Sequence, residues 1–266
     1  MHLERFESAL WQTSSVLLVA GGEAVAIDPG TSRTEVEAIA ARAAELGARV
    51  THVLATHADW DHVCGIAAFP DAVASMGPLT AQAVAGGRPA ELIARRAIEH
   101  DLQVAGPPRI DRTLAAGAAH RVGPFTVETV ALAGHTPDGI GFRVRSADVL
   151  AVGDHLSASE FPFVSDTAAY RFTLAGLIDV LRHDPPAQVV PGHGPALDAA
   201  RALEIAEADL GYLRALRDAV AGALAAGAGR ERAHEAGLEA EPPRTAEIAG
   251  MREANVQAQL DELLAP

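Results

Sequence analysis

The amino-acid sequence predicts an α/β fold that ends in a helical segment. Short apolar strands alternate with helices up to residue 194, and beyond it the apolar residues recur only at helical spacing. Several of the predicted strands are followed at once by a histidine or an aspartate. In α/β sheets, ligands and catalytic groups gather beyond the carboxyl ends of the strands. These positions are therefore the candidates for a functional site.

The predicted elements follow from apolar spacing and from the residues that end each run. The first two strands are apolar runs joined by Gly21-Gly22, and the first helix has an amphipathic pattern that ends at Gly47. We predict strands at residues 15–20, 24–28, 50–55, 72–75, 126–132, 141–144, 149–152 and 188–190, and helices at residues 34–46, 79–100 and 172–181. The second of these helices is expected to lie over the site.

The chain after residue 198 is predicted to be helical. Leu210, Leu213 and Leu216 recur on one helix face, and apolar residues near the end of the chain repeat this spacing. Residues 227–243 are predicted to form a linker or loop. We therefore predict an α/β domain over residues 1–198 and a C-terminal helical extension over residues 199–266. The extension either caps the domain or forms a homodimer.

Composition and charge argue against several classes of partner. The net charge is −14, and the chain has no lysine and no dense block of arginine, which argues against binding to a nucleic-acid backbone. No apolar run approaches the roughly 20 residues of a membrane span, and the acidic N-terminus is unlike a secretory signal. The single cysteine, Cys64, excludes an internal disulfide, as in a reducing cytoplasm. We expect a cytoplasmic protein that acts on a small-molecule substrate.

Four short segments carry the chemistry. Each places a histidine or aspartate directly after a predicted strand, beside a glycine or a turn. Burying several such groups together is costly unless they pair or bind a metal. Alternate side chains of an extended loop point the same way, so His57 and Asp59 can chelate one ion while Asp61 and His62 share a second. The segments are Thr-His-Ala-Asp-Trp-Asp-His at 56–62, Gly-His-Thr-Pro at 134–137, Gly-Asp-His at 153–155 and Gly-His-Gly at 192–194.

The order of these motifs resembles the metallo-β-lactamase superfamily over residues 14–195, and Ile-Asp-Pro-Gly at 27–30 resembles the family's second-strand ending. The resemblance implies a four-layer αββα sandwich with a dinuclear metal site at one edge. The layout is similar to glyoxalase II, which also has a helical C-terminal part. Carried over position by position, the resemblance implies that the first metal is bound by His57, Asp59 and His135, that the second is bound by Asp61, His62 and His193, and that Asp154 bridges the two.

Position 59 departs from the common family motif, which has histidine there. A carboxylate can bind the same ions, but its negative charge should make the bridging water less acidic. A harder ligand also shifts the preference from zinc toward iron or manganese, and flavodiiron-type relatives carry a carboxylate at the equivalent position and hold iron. We expect two divalent ions, with zinc first and iron or manganese as alternatives. If Asp59 does not bind, the first site is weak or empty.

The resemblance implies metal-assisted hydrolysis of a small ester, thioester or lactone. A water or hydroxide between the ions would attack the carbonyl, with Asp61 orienting it and accepting a proton. Two alternatives stay open: a non-hydrolytic iron-dependent oxygen or redox enzyme at the same ligands, and a degenerate, metal-poor binding module. The glutathione-recognition residues of glyoxalase II find no match here, so its substrate is not carried over.

Four weaker features leave alternatives open. Asp138 forms a turn or holds a histidine ligand, and His155 contacts the site or is a polar loop residue. Cys64 is interpreted as a small buried residue rather than a nucleophile. Four aromatic residues of one loop form an apolar wall over the metals or pack into the core; they are Phe161, Phe163, Tyr170 and Phe172.

Overall fold

The computed structural model describes residues 1–245 and 250–265, and the fold is α/β as predicted. The strands are β1 His2–Glu7, β2 Ser14–Ala20, β3 Glu23–Ile27, β4 Arg49–Ala55, β5 Val73–Met76, β6 Arg112–Thr113, β7 Ala119–Val122, β8 Phe125–Ala131, β9 Ile140–Val144, β10 Val149–Ala151 and β11 Gln188–Val190. The helices are α1 Arg33–Glu45, α2 Trp60–Val63, α3 Pro78–Ala85, α4 Arg88–Glu99, α5 Thr167–His183, α6 Ala199–Ala225, α7 Arg230–Leu238 and α8 Met251–Leu264.

The strands form two mixed sheets. The first has the order β1-β2-β3-β4-β5-β6 and the second the order β11-β10-β9-β8-β7. The first sheet is antiparallel from β1 to β3 and parallel from β3 to β6. In the second sheet only β10 and β11 are parallel. As a result, β4, β10 and β11 deliver the loops that follow them to one common edge.

Alternate residues of β2 explain how the layers are stacked. Val16 and Leu18 enter a hydrophobic cluster between the two sheets, whereas Leu17 and Val19 enter a cluster under α1. Side chains alternate across a strand, and a strand covered on both faces is apolar throughout. A third cluster lies between the second sheet and the helices α5 and α6. Three apolar layers separate four layers of structure, which confirms the predicted αββα sandwich.

The described residues after 198 are mainly helical, as predicted, and their helices share a hydrophobic cluster with the second sheet. Leu150 of β10, Leu213 of α6 and Val256 of α8 belong to the same cluster. The helices α6 and α8 therefore cover the outer side of α5 and the second sheet. A domain boundary at residue 198 stays a prediction, because this apolar core is continuous across it.

The prediction of a linker or loop over residues 227–243 is wrong for the part that forms α7. This helix is short and its pattern of apolar residues is weak, so propensity alone does not identify it. Packing stabilises it instead. A Cβ built on Gly237 would lie 2.7 Å from a methyl group of Val256 and 2.9 Å from one of Val220. A glycine that suggested a loop is the residue that lets α7 approach α6 and α8.

Other differences concern edges and ends of elements. The strands β1 and β7 were missed because their residues are mostly charged or half-buried and give no clear alternation. The predicted helix over residues 79–100 is two helices, broken at Gly86 and Gly87, where Gly87 has φ of +83°. The helix predicted from residue 172 begins at Thr167, because the Asp166 side chain accepts a hydrogen bond from the Ala169 N–H and caps it.

Among the described residues, no helix is both long and apolar enough to cross a membrane. The cytoplasmic location stays a prediction.

We expect Leu213→Ala to lower the free energy of unfolding by about 2–5 kcal/mol, the usual range for truncating a buried leucine. Leu213 is fully buried in the cluster shared by the second sheet and the C-terminal helices. Urea denaturation followed by circular dichroism should show a single transition at a lower urea concentration than in the wild type. The exposed Leu79→Ala is the control, with a change within about 0.5 kcal/mol. Two separate transitions would contradict a shared core.

Candidate metal centre

The seven residues that the sequence singled out lie together at one edge of the sandwich. His57 and Asp59 follow β4, and Asp61 and His62 lie in α2, which continues from the same loop. The others come from three separate loops: His135 lies between β8 and β9, Asp154 follows β10 and His193 follows β11. Residues far apart in sequence meet because the carboxyl ends of these strands share an edge.

Asp154 lies at the centre of the cluster. Its Oδ2 is 3.1 Å from the Nε2 of His135 and 3.2 Å from the Nε2 of His193. The same oxygen is 3.6 Å from the Nε2 of His57, while Oδ1 is 3.0 Å from the Nε2 of His62. One carboxylate therefore faces four imidazoles that arrive from three loops and one short helix.

The potential ligand atoms form two groups, each within a span of 4.8 Å. In the first group, the Oδ2 of Asp59 is 3.3 Å from the Nε2 of His135 and 3.7 Å from that of His57. In the second, the Oδ2 of Asp61 is 3.5 Å from the Nε2 of His62 and 3.6 Å from that of His193. The structure brings all seven residues together in these two groups, and their binding of metal stays a prediction.

The donor set fits divalent ions. Within the described part of the chain, the Nε2 of His57 is buried without a hydrogen-bond partner, and the Nε2 of His62 and the Oδ1 of Asp154 face each other at 3.0 Å without the geometry of a hydrogen bond. Leaving a buried polar group unsatisfied costs about 1–3 kcal/mol, and coordination of a cation removes that penalty. Imidazole nitrogens and carboxylate oxygens suit zinc, iron and manganese. A divalent-metal site is thus the arrangement that accounts for these buried atoms.

Each of the four histidines is held by its other ring nitrogen. An oxygen atom lies within hydrogen-bond distance of every Nδ1, so each Nδ1 can donate a hydrogen bond while Nε2 faces the centre of the cluster. The partners are the Oγ1 of Thr56 for His57 at 3.0 Å, the Oδ2 of Asp28 for His62 at 3.0 Å, the carbonyl of Phe163 for His135 at 2.8 Å and the carbonyl of Trp11 for His193 at 3.0 Å.

Asp28 is a site residue to which sequence reasoning assigned no role. Its buried carboxylate accepts hydrogen bonds from the N–H and the hydroxyl of Thr56, at 2.8 and 2.7 Å, and from the Nδ1 of His62. Asp28 has φ of 48°, a left-handed conformation that aspartate tolerates better than most residues. The available signal was a carboxylate placed at the end of an apolar strand, directly before Pro29-Gly30.

Glycine at two positions lets the loops approach the centre. A Cβ built on Gly192 would lie 2.1 Å from the Oδ1 of Asp154, so this position next to His193 has no room for a side chain. Gly134 precedes His135 with φ of +126°, and a Cβ there would lie 2.4 Å from the backbone nitrogen of Tyr170. The glycines in the Gly-His motifs thus allow close contact between backbone and site.

The histidines of the metal-free cluster bind protons strongly. Burial works to lower the pKa values of His62 and His135, but the Asp154 carboxylate and its acidic neighbours hold both well above the usual range. Burial acts likewise on His193, yet Asp154 and Asp61 raise its pKa to about 9. Burial works to raise the pKa of Asp154, and the four imidazoles outweigh it and hold that pKa well below its usual range.

Three of the weaker features have clear positions. Asp138 accepts a hydrogen bond from the N–H of Ala58 at 2.8 Å, so it supports the backbone of the first metal loop rather than a histidine ring. His155 stacks on Tyr170, with ring centroids 4.5 Å apart, and burial lowers its pKa to about 3. It belongs to neither group of potential ligands. Cys64 is buried, as expected, and burial raises the pKa of its thiol.

A cleft with two lobes opens over the cluster. One lobe, of about 480 Å³, is mainly apolar, and α4 contributes Leu92 and Arg96 to it, as expected of a helix lying over the site. Glu160 adds a further charge to this lobe. The second lobe, of about 590 Å³, is lined by Leu79, Arg88 and other residues. Both lobes share Asp59, His135 and Phe163.

Of the four aromatic residues that suggested a wall, one forms it. Phe163 is partly exposed and its ring centroid lies 5.8 Å from that of His135, at the junction of the two lobes. Phe161 packs edge-on against Tyr212, with centroids 5.8 Å apart, and Tyr170 is buried. Phe172 is 83% exposed. Both alternatives were therefore right in part.

Comparison with known proteins agrees with this geometry. A family model described as the metallo-beta-lactamase superfamily matches residues 9–193. The hydroxyacylglutathione hydrolase of Anaeromyxobacter dehalogenans (strain 2CP-C) is 31% identical over 248 residues, covering 92% of this chain and 81% of the relative. The metallo-beta-lactamase family protein TTHA1429 from Thermus thermophilus is 21% identical, with a TM-score of 0.70 over 98% of this chain and 92% of its own. TTHA1623, solved in a di-iron-bound form, is 26% identical, with a TM-score of 0.57 over 76% of this chain and 96% of its own.

The chain belongs to the metallo-β-lactamase superfamily. This confirms the resemblance found in the sequence, including its similarity to glyoxalase II, the hydroxyacylglutathione hydrolase. Membership and homology together make the chain a metal-dependent hydrolase. The alignment with TTHA1429 covers nearly the whole chain, so the shared fold includes the C-terminal helices.

We expect Asp28→Asn to lower metal affinity by about 10–100-fold, because an amide has one acceptor oxygen and cannot accept from the Thr56 N–H, the Thr56 hydroxyl and the Nδ1 of His62 together, as the two carboxylate oxygens do. Competition with a chromophoric chelator measures the affinity. The matched control is Asp111→Asn, because Asp111 also accepts from a backbone N–H, that of Ala74, but lies away from the cluster. Equal losses in the two variants would contradict a role for Asp28 in orienting His62.

We expect metal uptake at pH 7 to release protons. In the metal-free chain the neighbouring carboxylates raise the pKa of His193 to about 9 and hold the pKa values of His62 and His135 well above their usual range, so these rings hold protons that metal binding must displace. Metal affinity should therefore rise with pH until the pH exceeds these values. Calorimetry in buffers of different ionisation enthalpy gives the number of protons. Uptake without proton release at pH 7 would contradict this account.

Proposed function

We propose that the chain is a dinuclear metal-dependent hydrolase that cleaves a small ester, thioester or lactone. The observation that carries the proposal is the pair of imidazole–carboxylate groups that meet at Asp154 on the floor of an open cleft. Homology to a hydroxyacylglutathione hydrolase supports the reaction class and puts thioesters first among the three substrates. The substrate itself is a small molecule, in keeping with the size of the two lobes.

In this proposal each group of ligands holds one ion. His57, Asp59 and His135 bind the first, and Asp61, His62 and His193 bind the second, with Asp154 between them. The distances within the two groups and the Nε2 atoms of His57 and His62, which lack a hydrogen bond, support this assignment. Two divalent ions in such a site supply a hydroxide nucleophile near neutral pH and polarise a carbonyl oxygen.

Asp61 has a further role in the proposal. Its Oδ2 accepts a hydrogen bond from the hydroxyl of Thr13 at 3.1 Å, which fixes the carboxylate toward the cleft. A carboxylate held in this way can orient the attacking water and accept its proton. Asp61 lines the first lobe, so a substrate carbonyl placed there lies within its reach.

The two lobes suit a substrate with bulk on both sides of the scissile bond. They meet at Asp59, His135 and Phe163, so a bond cleaved at the metals would have one part in each lobe. The first lobe is mainly apolar, with Trp11 and Leu92 in its wall, which favours an acyl group with apolar character.

We propose zinc as the resident metal, with iron or manganese as alternatives. Imidazole-rich sites suit zinc, whereas the carboxylate of Asp59 in the first group tilts the preference toward harder ions. The relative TTHA1623 was solved with two irons. Asp59 and this relative favour one second candidate function, a non-hydrolytic iron enzyme that uses oxygen at the same ligands. A chain that takes up no metal would instead be the degenerate binding module.

The test is hydrolysis by the metal-loaded chain without oxygen. We expect turnover of a thioester, ester or lactone under anaerobic conditions, and a decrease in kcat of about 10²–10⁴-fold in Asp61→Asn with the metal content measured in parallel. The control Asp111→Asn should keep its kcat. Product formation only with iron and dissolved oxygen would replace hydrolysis by the second candidate function.

A further inference from the structure

One side chain of the C-terminal extension is hydrogen-bonded to the loop that carries Phe163. Asn255 of α8 is fully buried, and it is not part of the metal cluster. Its Oδ1 accepts a hydrogen bond from the N–H of Val164 at 2.9 Å, and its Nδ2 donates to the carbonyl of Pro162 at 2.6 Å. The amide thus binds the backbone on both sides of Phe163.

The peptide between Phe163 and Val164 links Asn255 to the metal centre. The N–H of Val164 and the carbonyl of Phe163 belong to one planar unit and point in opposite directions. The N–H donates to Asn255, and the carbonyl accepts from the Nδ1 of His135 at 2.8 Å. Hydrogen bonds in such a chain polarise one another. Rotation of this peptide would break both bonds at once.

We propose that Asn255 is a positioning residue for His135. It holds the Phe163–Val164 peptide so that the carbonyl fixes the proton on Nδ1 and the Nε2 of His135 faces Asp59 and Asp154. The C-terminal extension therefore completes the metal centre, although it supplies none of the seven clustered residues. This inference rests on the proposed binding of metal by His135.

The position requires an amide. A carboxylate could accept from Val164 but could not donate to Pro162, and leucine of the same shape could do neither. Because Asn255 is fully buried, water cannot easily replace the lost bonds. The helix that carries Asn255 is itself docked on α5, since Arg171 donates to Gln259 at 3.1 Å and to Glu262 at 2.8 Å.

The same two hydrogen bonds of Asn255 also fix the position of the wall between the two lobes of the cleft. The ring of Phe163 stands at their junction, and its backbone is held by Asn255 on both sides and by His135 at its carbonyl. A change at Asn255 should therefore affect metal binding and substrate fit together, whereas a loss of packing elsewhere in α8 should affect stability alone.

The experiment compares Asn255→Leu and Asn255→Asp with the matched control Gln259→Leu. Gln259 lies one turn later on α8, is equally buried and accepts a hydrogen bond from Arg171 of α5, whereas the hydrogen bonds to Pro162 and Val164 are made by Asn255. Chelator competition measures the affinity for each of the two zinc ions, urea denaturation the stability, and steady-state kinetics kcat and KM. In Asn255→Leu, the affinity for one of the two zinc ions should fall by about tenfold. This is the lower end of the range for removing a residue that orients a metal ligand.

Asn255→Asp keeps the acceptor for Val164 and should lose less zinc affinity than the leucine variant, even if its stability falls further. Gln259→Leu should lose stability but keep both zinc affinities. Unchanged affinity in Asn255→Leu, or an equal loss in Gln259→Leu, would overturn the proposal.

A second readout separates this inference from the proposed function. If the wild-type chain takes up no metal, the proposed function fails, and the tautomer of His135 decides the role of Asn255. Nitrogen-15 NMR of the metal-free chain at alkaline pH, where the ring is neutral, should show the proton on Nδ1 in the wild type and a mixture of tautomers in Asn255→Leu. The same single tautomer in both chains would overturn the inference.

Discussion

The contact of one carboxylate with four imidazoles is the constraint on which the rest of the site depends. Asp154 lies within 3.6 Å of the Nε2 of His57, His62, His135 and His193. So many polar groups gathered inside a protein are costly without pairing or metal. The surrounding structure meets that cost by fixing every imidazole through its Nδ1 and by placing Gly192 where any side chain would strike the carboxylate.

The sandwich supplies the rigid frame for this contact. Strands β4, β10 and β11 are packed on both faces, and their ends deliver the loops of the site to one edge. The C-terminal helices share an apolar core with the second sheet and, through Asn255, reach the loop beside His135. The helix α8 thus has two separate roles: its apolar residues cover the core, and its Asn255 orients a potential metal ligand.

The alternation of strands and helices and the four strand-end segments could be predicted because that information is local, whereas the four-layer arrangement and the set of seven residues followed from the resemblance of the ordered motifs to a known family. Apolar runs mark the strands, and motifs such as Gly-His mark the ends of strands at the site. Asp28, Asn255 and α7 escaped prediction for a physical reason. The carboxylate of Asp28 matters through Thr56 and His62, Asn255 through a loop some ninety positions earlier, and α7 through packing on its neighbours. Such contacts leave no periodic signal.

The most direct measurement is elemental analysis of the purified chain beside Asp59→Ala and Asp59→His. The central claim is that two groups of side chains hold two divalent ions, with Asp59 a ligand of the first. We predict near two metals per chain in the wild type and in Asp59→His, and a fall toward one in Asp59→Ala. Equal metal content in wild type and Asp59→Ala would contradict the role of Asp59. Near-zero metal in all three chains would contradict the dinuclear centre itself.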